Sequence, residues 1–340
     1  MDSLTHIAIG GIVGDIFAGK HLGRKAMIAG ALFQSLPDID FVASFWLDPV
    51  SDFIVHRGIT HSILFALIIT PLLALLVHRI FSAQPVSFKT WVLFIGTEIV
   101  LHLFLDAFNA YGTGWFEPFS NARVSFNAIF VADPLFSILP VIAFIMLFFK
   151  NKEYPWRQRW INVSLSMVAV YLTLSIVSKL LVASDVERVA AEKGIKYKRF
   201  FTTPTPFNSL LWFIVLETDS GYHVGYRSVL DSRDAINLNY FPQNNHLLSD
   251  IENRKDVVQL KQFSQGYYIA QLWSDTLVFN DLRFGQMIGW NNLNARFAFY
   301  YYPNHPNDNT LVIQRGRFQG WDREAVESLF KSIRGDASIR

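Results

Sequence analysis

At 340 residues, with 51% hydrophobic and 17% charged composition, the chain is too apolar for an ordinary soluble protein and too long for one domain. Formal charge is +2, with 12 Lys/Arg against 11 Asp/Glu up to residue 183 and 18 against 17 beyond it, so neither part has the basic surplus that nucleic acid binding needs. The absence of cysteine excludes disulfides and thiolate chemistry, leaves any metal to His, Asp, Glu or carbonyl oxygen, and suits an oxidising compartment.

Residues 1–16 lack a basic leader and carry Asp2, His6 and Asp15, which argues against a cleaved signal peptide. Six apolar segments follow, at roughly 4–19, 25–47, 62–81, 90–108, 129–149 and 160–183, near the ~20 residues of a spanning helix. Lys20, Arg24 and Lys25, then Arg79 and Lys89, then Lys150, Lys152, Arg157 and Arg159 mark alternate connections as cytoplasmic. The loops 48–61 and 109–128, the N-terminus and everything after residue 183 are then expected outside.

That topology, drawn from Lys and Arg alone, puts four polar clusters on one face: Asp2 with His6, Asp38 with Asp40, His56 with His61, and His102 with Asp106. His21 and His78 fall on the other face, where they read as interfacial residues. The expected division is a membrane helical domain over 1–183, of about five to six helices, and a mainly-β (α+β) extracytoplasmic domain over 184–340. In the latter, 186–198 reads as a charged helix or linker. Strands are expected at 210–217, 222–230, 267–272, 276–281, 295–302 and 311–318, with a hairpin turn at 219–221 and a closing helix over 322–333.

Glu98, His102 and Asp106 are spaced i, i+4, i+8 and share one helical face, with His102 roughly 6 Å and Glu98 roughly 12 Å along the axis from Asp106. Asp38 and Asp40 can both face one site if the helix unwinds after Pro37. With His6, His56 and His61 they form a ligand pool for one or two divalent ions, with Zn, Mn or Fe suited to mixed imidazole and carboxylate donors. Each has a plainer reading: interfacial histidines are commonly amphipathic, and the aspartates could cap helices. Glu98 lacks that escape, because an ionisable group inside an apolar segment is costly, and it reads as a ligand-orienting group or proton acceptor. Arg57 could hold an anionic group or sit at lipid phosphates. The aromatic stretch 109–127 reads as interfacial belt or as a pocket wall beside Asp106.

Through Met1-Asp2-Ser3-Leu4-Thr5-His6 with Gly10, Pro37-Asp38-Ile39-Asp40, His56-Arg57-Gly58-Ile59-Thr60-His61-Ser62, and His102 with Asp106, Asn109 and Tyr111-Gly112-Thr113, the sequence resembles the YdjM-like inner-membrane proteins, a family described as membrane-bound metal-dependent hydrolases. The resemblance covers about the first 180 residues. The later run 204–208, with Leu211-Trp212 and Gly221-Tyr222, is similar to a C-terminal region found in part of that group. The resemblance implies metal dependence and hydrolysis, without a substrate, in a bacterial inner membrane. A looser likeness to zinc phospholipase C and P1-type nucleases is one of architecture.

The expected function is metal-dependent hydrolysis of an ester or phosphoester in a lipid, lipid-linked sugar or other amphiphile at the outer face, with metal-activated water as nucleophile. Ligands are expected among His6, Asp38, Asp40, His56, His61, His102 and Asp106, with Glu98 and Arg57 assisting. The alternatives are a divalent-cation transporter or metal-binding scaffold, and an anchor that carries an outer β-domain for an envelope partner.

Overall fold

The computed structural model describes residues 2–232, 236–309 and 320–336. The strand expected at 311–318 lies outside them. Two units divide the chain, one of Met1–Trp46 and Val55–Thr173, the other of Leu47–Ile54 and Leu174–Arg340.

The first unit begins with α1 (Ser3–Leu22), whose N-cap Asp2 accepts from the Thr5 amide, and α2 (Arg24–Gln34). These two helices pack backbone to backbone: a Cβ on Gly10 would fall 2.6 Å from the Gly30 carbonyl oxygen, and one on Gly30 would fall 2.1 Å from that of Gly10. Small residues at such a crossing are how helices approach closely within a membrane. Pro37 cannot continue the α-helical ladder, and the chain proceeds as a 3-10 helix, Pro37–Phe45, bent by 58° from α2. A second 3-10 turn, Ile59–His61, leads into α4 (Ile63–Ile80), and α5 (Phe88–Asp106) and α6 (Pro134–Phe149) follow. α3 (Pro49–Val55) lies between the two 3-10 helices.

α4, α5 and α7 (Arg157–Glu192) are long and apolar enough to span a membrane, and the bent pair of α2 with Pro37–Phe45 makes a fourth if counted as one span. Among the described residues this count is somewhat below the expected five to six, for two reasons. α1 is diluted by four glycines and by His6, Asp15 and Lys20, and α6 has only 16 residues. Asp15 lies within α1, where Arg157 grips it through Nε and Nη2, at 2.7 and 2.6 Å. α7 continues to Glu192 and so takes in much of 186–198, the stretch read as a charged helix or linker.

The second unit holds two antiparallel sheets. One is a meander in the order β1 (Arg199–Pro204), β2 (Leu211–Glu217), β3 (Gly221–Ser228) and β4 (Leu238–Pro242), and the other runs β5 (Tyr268–Trp273), β6 (Thr276–Gln286) and β7 (Phe297–Tyr301). α8 (Lys255–Phe263) buries Val257, Leu260 and Phe263, while α9 (Arg323–Ile333) is capped by Asp322. From α3, Phe53 stacks on Phe263 with ring centroids 5.4 Å apart, which ties 47–54 to this unit.

Candidate metal centre

Three elements of the first unit deliver the donors. The unwound segment after Pro37 supplies Asp38, the turn before α4 supplies His61, and the last turn of α5 supplies His102 and Asp106 on one face. One ligand atom from each lies within 4.8 Å of all the others. His61 Nε2 is 3.1 Å from His102 Nε2, 3.5 Å from Asp38 Oδ1 and 3.5 Å from Asp106 Oδ2. His102 Nε2 is 3.5 Å from Asp38 Oδ1 and 3.7 Å from Asp106 Oδ2.

These separations test whether the residues fit an ion. Ligands at 2.0–2.2 Å from a tetrahedral centre are roughly 3.3–3.6 Å from one another, close to these five spacings, while the Asp38–Asp106 pair lies within 4.8 Å. Tautomers agree as well. His102 Nδ1 donates to the Gln34 main-chain carbonyl at 2.6 Å, which leaves its Nε2 lone pair facing inward. His61 Nδ1 meets the Thr60 hydroxyl at 3.1 Å and Asp40 Oδ2 at 3.4 Å. His61, His102 and Asp106 are fully buried, and the Asp38 side chain is 24% exposed, so the group opens on the Asp38 side. Two Asp and two His so arranged could bind a divalent metal.

A model of the YdjM inner membrane protein family matches residues 1–182. The chain belongs to that family. YfhP of Bacillus subtilis (strain 168) is 29% identical over 250 residues, which cover 66% of this chain and 68% of that protein. The inner membrane protein YbcI of Escherichia coli (strain K12) is 29% identical over 122 residues, 35% of this chain and 69% of its own length. No solved structure matches.

The remaining polar residues of this YdjM-family unit surround the four donors. His6 reaches Asp106 Oδ1 through Nε2 at 3.1 Å and stacks on His102, with ring centroids 4.0 Å apart. Asp40 accepts from the Arg57 amide at 2.7 Å and from Thr60 at 3.2 Å, and pairs with His56 Nδ1 at 3.1 Å. His56 therefore lies one carboxylate removed from the donor group, with a side chain 36% exposed.

Arg57 is turned inward. Its Nε sits 3.0 Å from Asp106 Oδ2, Nη1 donates to Asn109 Oδ1 at 2.8 Å, and the guanidinium lies over the Tyr111 ring. The backbone at Arg57 has φ 60°, a costly conformation for a non-glycine residue, fixed here by the Asp40 bond and by the Gly114 amide on its carbonyl.

Glu98 is buried one turn below His102. The Gln34 amide, with its nitrogen toward the carboxylate, donates to Glu98 Oε2 at 2.7 Å and to the Glu98 main-chain oxygen at 2.6 Å. The other side of that amide meets His6 Nδ1 at 3.4 Å. Sequence reasoning missed Gln34, although a polar amide inside an apolar run was a readable signal.

Burial works against a charged His61, but the carboxylates of Asp106, Asp38 and Asp40 outweigh it and hold the imidazole up to about 9. The pocket attracts a cation even before metal is considered.

Proposed function

We propose that this YdjM-family protein is a metal-dependent hydrolase working at the outer face of a bacterial inner membrane, on an ester or phosphoester of a lipid or lipid-linked amphiphile. The observation that carries this reading is the convergence of Asp38, His61, His102 and Asp106 to within 4.8 Å. A divalent ion there supplies Lewis acidity and a water of lowered pKa. Zinc suits two imidazoles and two carboxylates at these spacings, with Mn or Fe as substitutes.

Charge favours one ion over two. The carboxylates of Asp38, Asp40 and Asp106 are balanced by the Arg57 guanidinium and a single dication, and a buried cluster at a membrane boundary is stable only near neutrality.

The chain's own residues prepare the pocket. The Gln34 carbonyl, and Thr60 with Asp40, turn both Nε2 lone pairs inward; Arg57 and His6 fix the two oxygens of Asp106. Glu98 braces Gln34. Exposure on the Asp38 side gives an incoming group its approach, with His56 at the margin. The β-rich second unit is extracytoplasmic in this reading, as the distribution of Lys and Arg suggests.

Elemental mass spectrometry on purified protein in detergent tests the proposal. Wild type should carry near-stoichiometric metal and a His61→Ala/His102→Ala variant should not, after which lipid and phosphoester substrates can be screened. Wild type that stays metal-free after reconstitution with Zn or Mn would sink it.

A further inference from the structure

We propose that residues 39–46 lie in the membrane interface and open the metal site sideways onto the lipid headgroup layer. The placement of this segment stands by itself; that the substrate enters by this route rests on the hydrolase reading.

The segment splits its side chains by polarity. Pro37 and Asp40 are buried and Asp38 turns to the histidines, while Ile39, Phe41, Phe45 and Trp46 are 52%, 57%, 75% and 78% exposed. None of residues 41–46 is buried. An uncharged run of Phe-Val-Ala-Ser-Phe-Trp left in water would be strongly unfavourable, so something apolar must cover it.

Continuity identifies the cover. Pro37–Phe45 forms a bent pair with α2, and the two together are long and apolar enough for a membrane. The exposed surface of α2, with Ile28 and Leu32, belongs to the same pair. A bend of 58° turns a chain that enters as a membrane helix toward the membrane plane. Phe and Trp at such a place are the residue types of the lipid boundary, and an in-plane segment buries one apolar face there. Asp38 immediately precedes this segment and is the half-buried, least enclosed member of the four donors. The opening therefore looks onto the layer where ester and phosphate groups of membrane lipids reside.

The chain has no cysteine, so single labels can be placed cleanly. Ile39→Cys, Phe41→Cys and Phe45→Cys would each carry a nitroxide in the full-length protein, reconstituted in phosphatidylethanolamine/phosphatidylglycerol vesicles. Collisions with oxygen, which partitions into lipid, are compared with collisions with a water-soluble nickel chelate. Leu72→Cys, on the exposed face of α4, serves as the lipid reference, and Asp219→Cys, with a side chain 96% exposed, as the aqueous one. The expected result is oxygen access near that of the Leu72 label and nickel access severalfold below that of the Asp219 label. Nickel access equal to the Asp219 label would overturn the proposal, and so would shielding from both reagents, which would mean a protein cover. Metal content equal to wild type in each variant reports an intact site. If the hydrolase reading fails, metal or turnover is missing while the labels still report lipid.

Discussion

Gln34 links His102 to Glu98: the His102 Nδ1 donates to the Gln34 carbonyl at 2.6 Å, while the Gln34 side chain anchors on Glu98 one turn below His102. The buried glutamate thus acts on the donor group through a glutamine from another helix. Gln34→Ala frees Glu98 and loosens the carbonyl that sets the His102 tautomer. Loss of such an outer partner typically weakens metal binding about 10- to 100-fold. Competition with a chromophoric chelator measures it, and unchanged affinity would remove Gln34 from the site's support.

Arg57 compensates a carboxylate that has no access to water. Arg57→Ala takes the guanidinium from buried Asp106, leaving it the protonated His61 as a cation, and should destabilise the metal-free protein by up to about 3–5 kcal/mol. Arg57→Lys should recover little, because Nε and Nη1 serve Asp106 and Asn109 at once and an ammonium cannot span both. Thermal unfolding in detergent reports both variants. Full rescue by lysine would show that charge alone matters there.

Two glycines make a paired test of packing. A Cβ on Gly30 meets the Gly10 carbonyl oxygen at 2.1 Å and Glu98 Oε1 at 2.9 Å, so Gly30→Ala must push α1 from α2 and carry His6 from Asp106. Overpacking of this kind costs about 1–3 kcal/mol, and metal affinity should fall with it. On Gly96 the nearest atom is Thr70 Cγ2 at 3.4 Å, an ordinary contact, so Gly96→Ala should be neutral or stabilise by up to about 1 kcal/mol through helix propensity. Equal melting temperatures for the two variants would contradict the close crossing of α1 and α2.

The convergence of the clustered side chains was legible where it rests on local rules. The i, i+4 spacing places His102 and Asp106 on one face, and Pro37 forces the unwinding that lets Asp38 and Asp40 both reach His61. The inward turn of Arg57 was not legible, since it depends on the distant Asn109 and Asp106, and the removal of His56 to the margin depends on Asp40 taking its Nδ1. In the second unit the expected strands and the closing helix lie near β2, β3, β5, β6, β7 and α9, whereas β1 and β4 were missed. Those two are the edges of their sheet and each ends on a proline, so their signal is weak by the same physics that keeps edges short. α8 was missed because its buried apolar face is only Val257, Leu260 and Phe263, with Val258 exposed and the rest charged or amide residues.

Metal removal should change the direction of the pH response. In the metal-free protein, burial opposes a charged His61, but the surrounding carboxylates raise its pKa from 6.5 to about 9. The folded state therefore binds a proton that the unfolded state lacks between those values. Its stabilising contribution is complete below about pH 6.5 and disappears as pH rises through about 9. A metal ion at His61 Nε2 must displace that proton, so affinity should increase with pH across the same window and the loaded protein should lose the decline. At a thousandfold excess over Kd the ion adds about 4 kcal/mol of stability. Melting temperatures of chelator-treated protein should fall from about pH 6 to about pH 9, those of Zn-loaded protein should hold or rise, and His61→Ala should abolish the difference. Parallel curves for the stripped and loaded forms would place the bound ion away from His61.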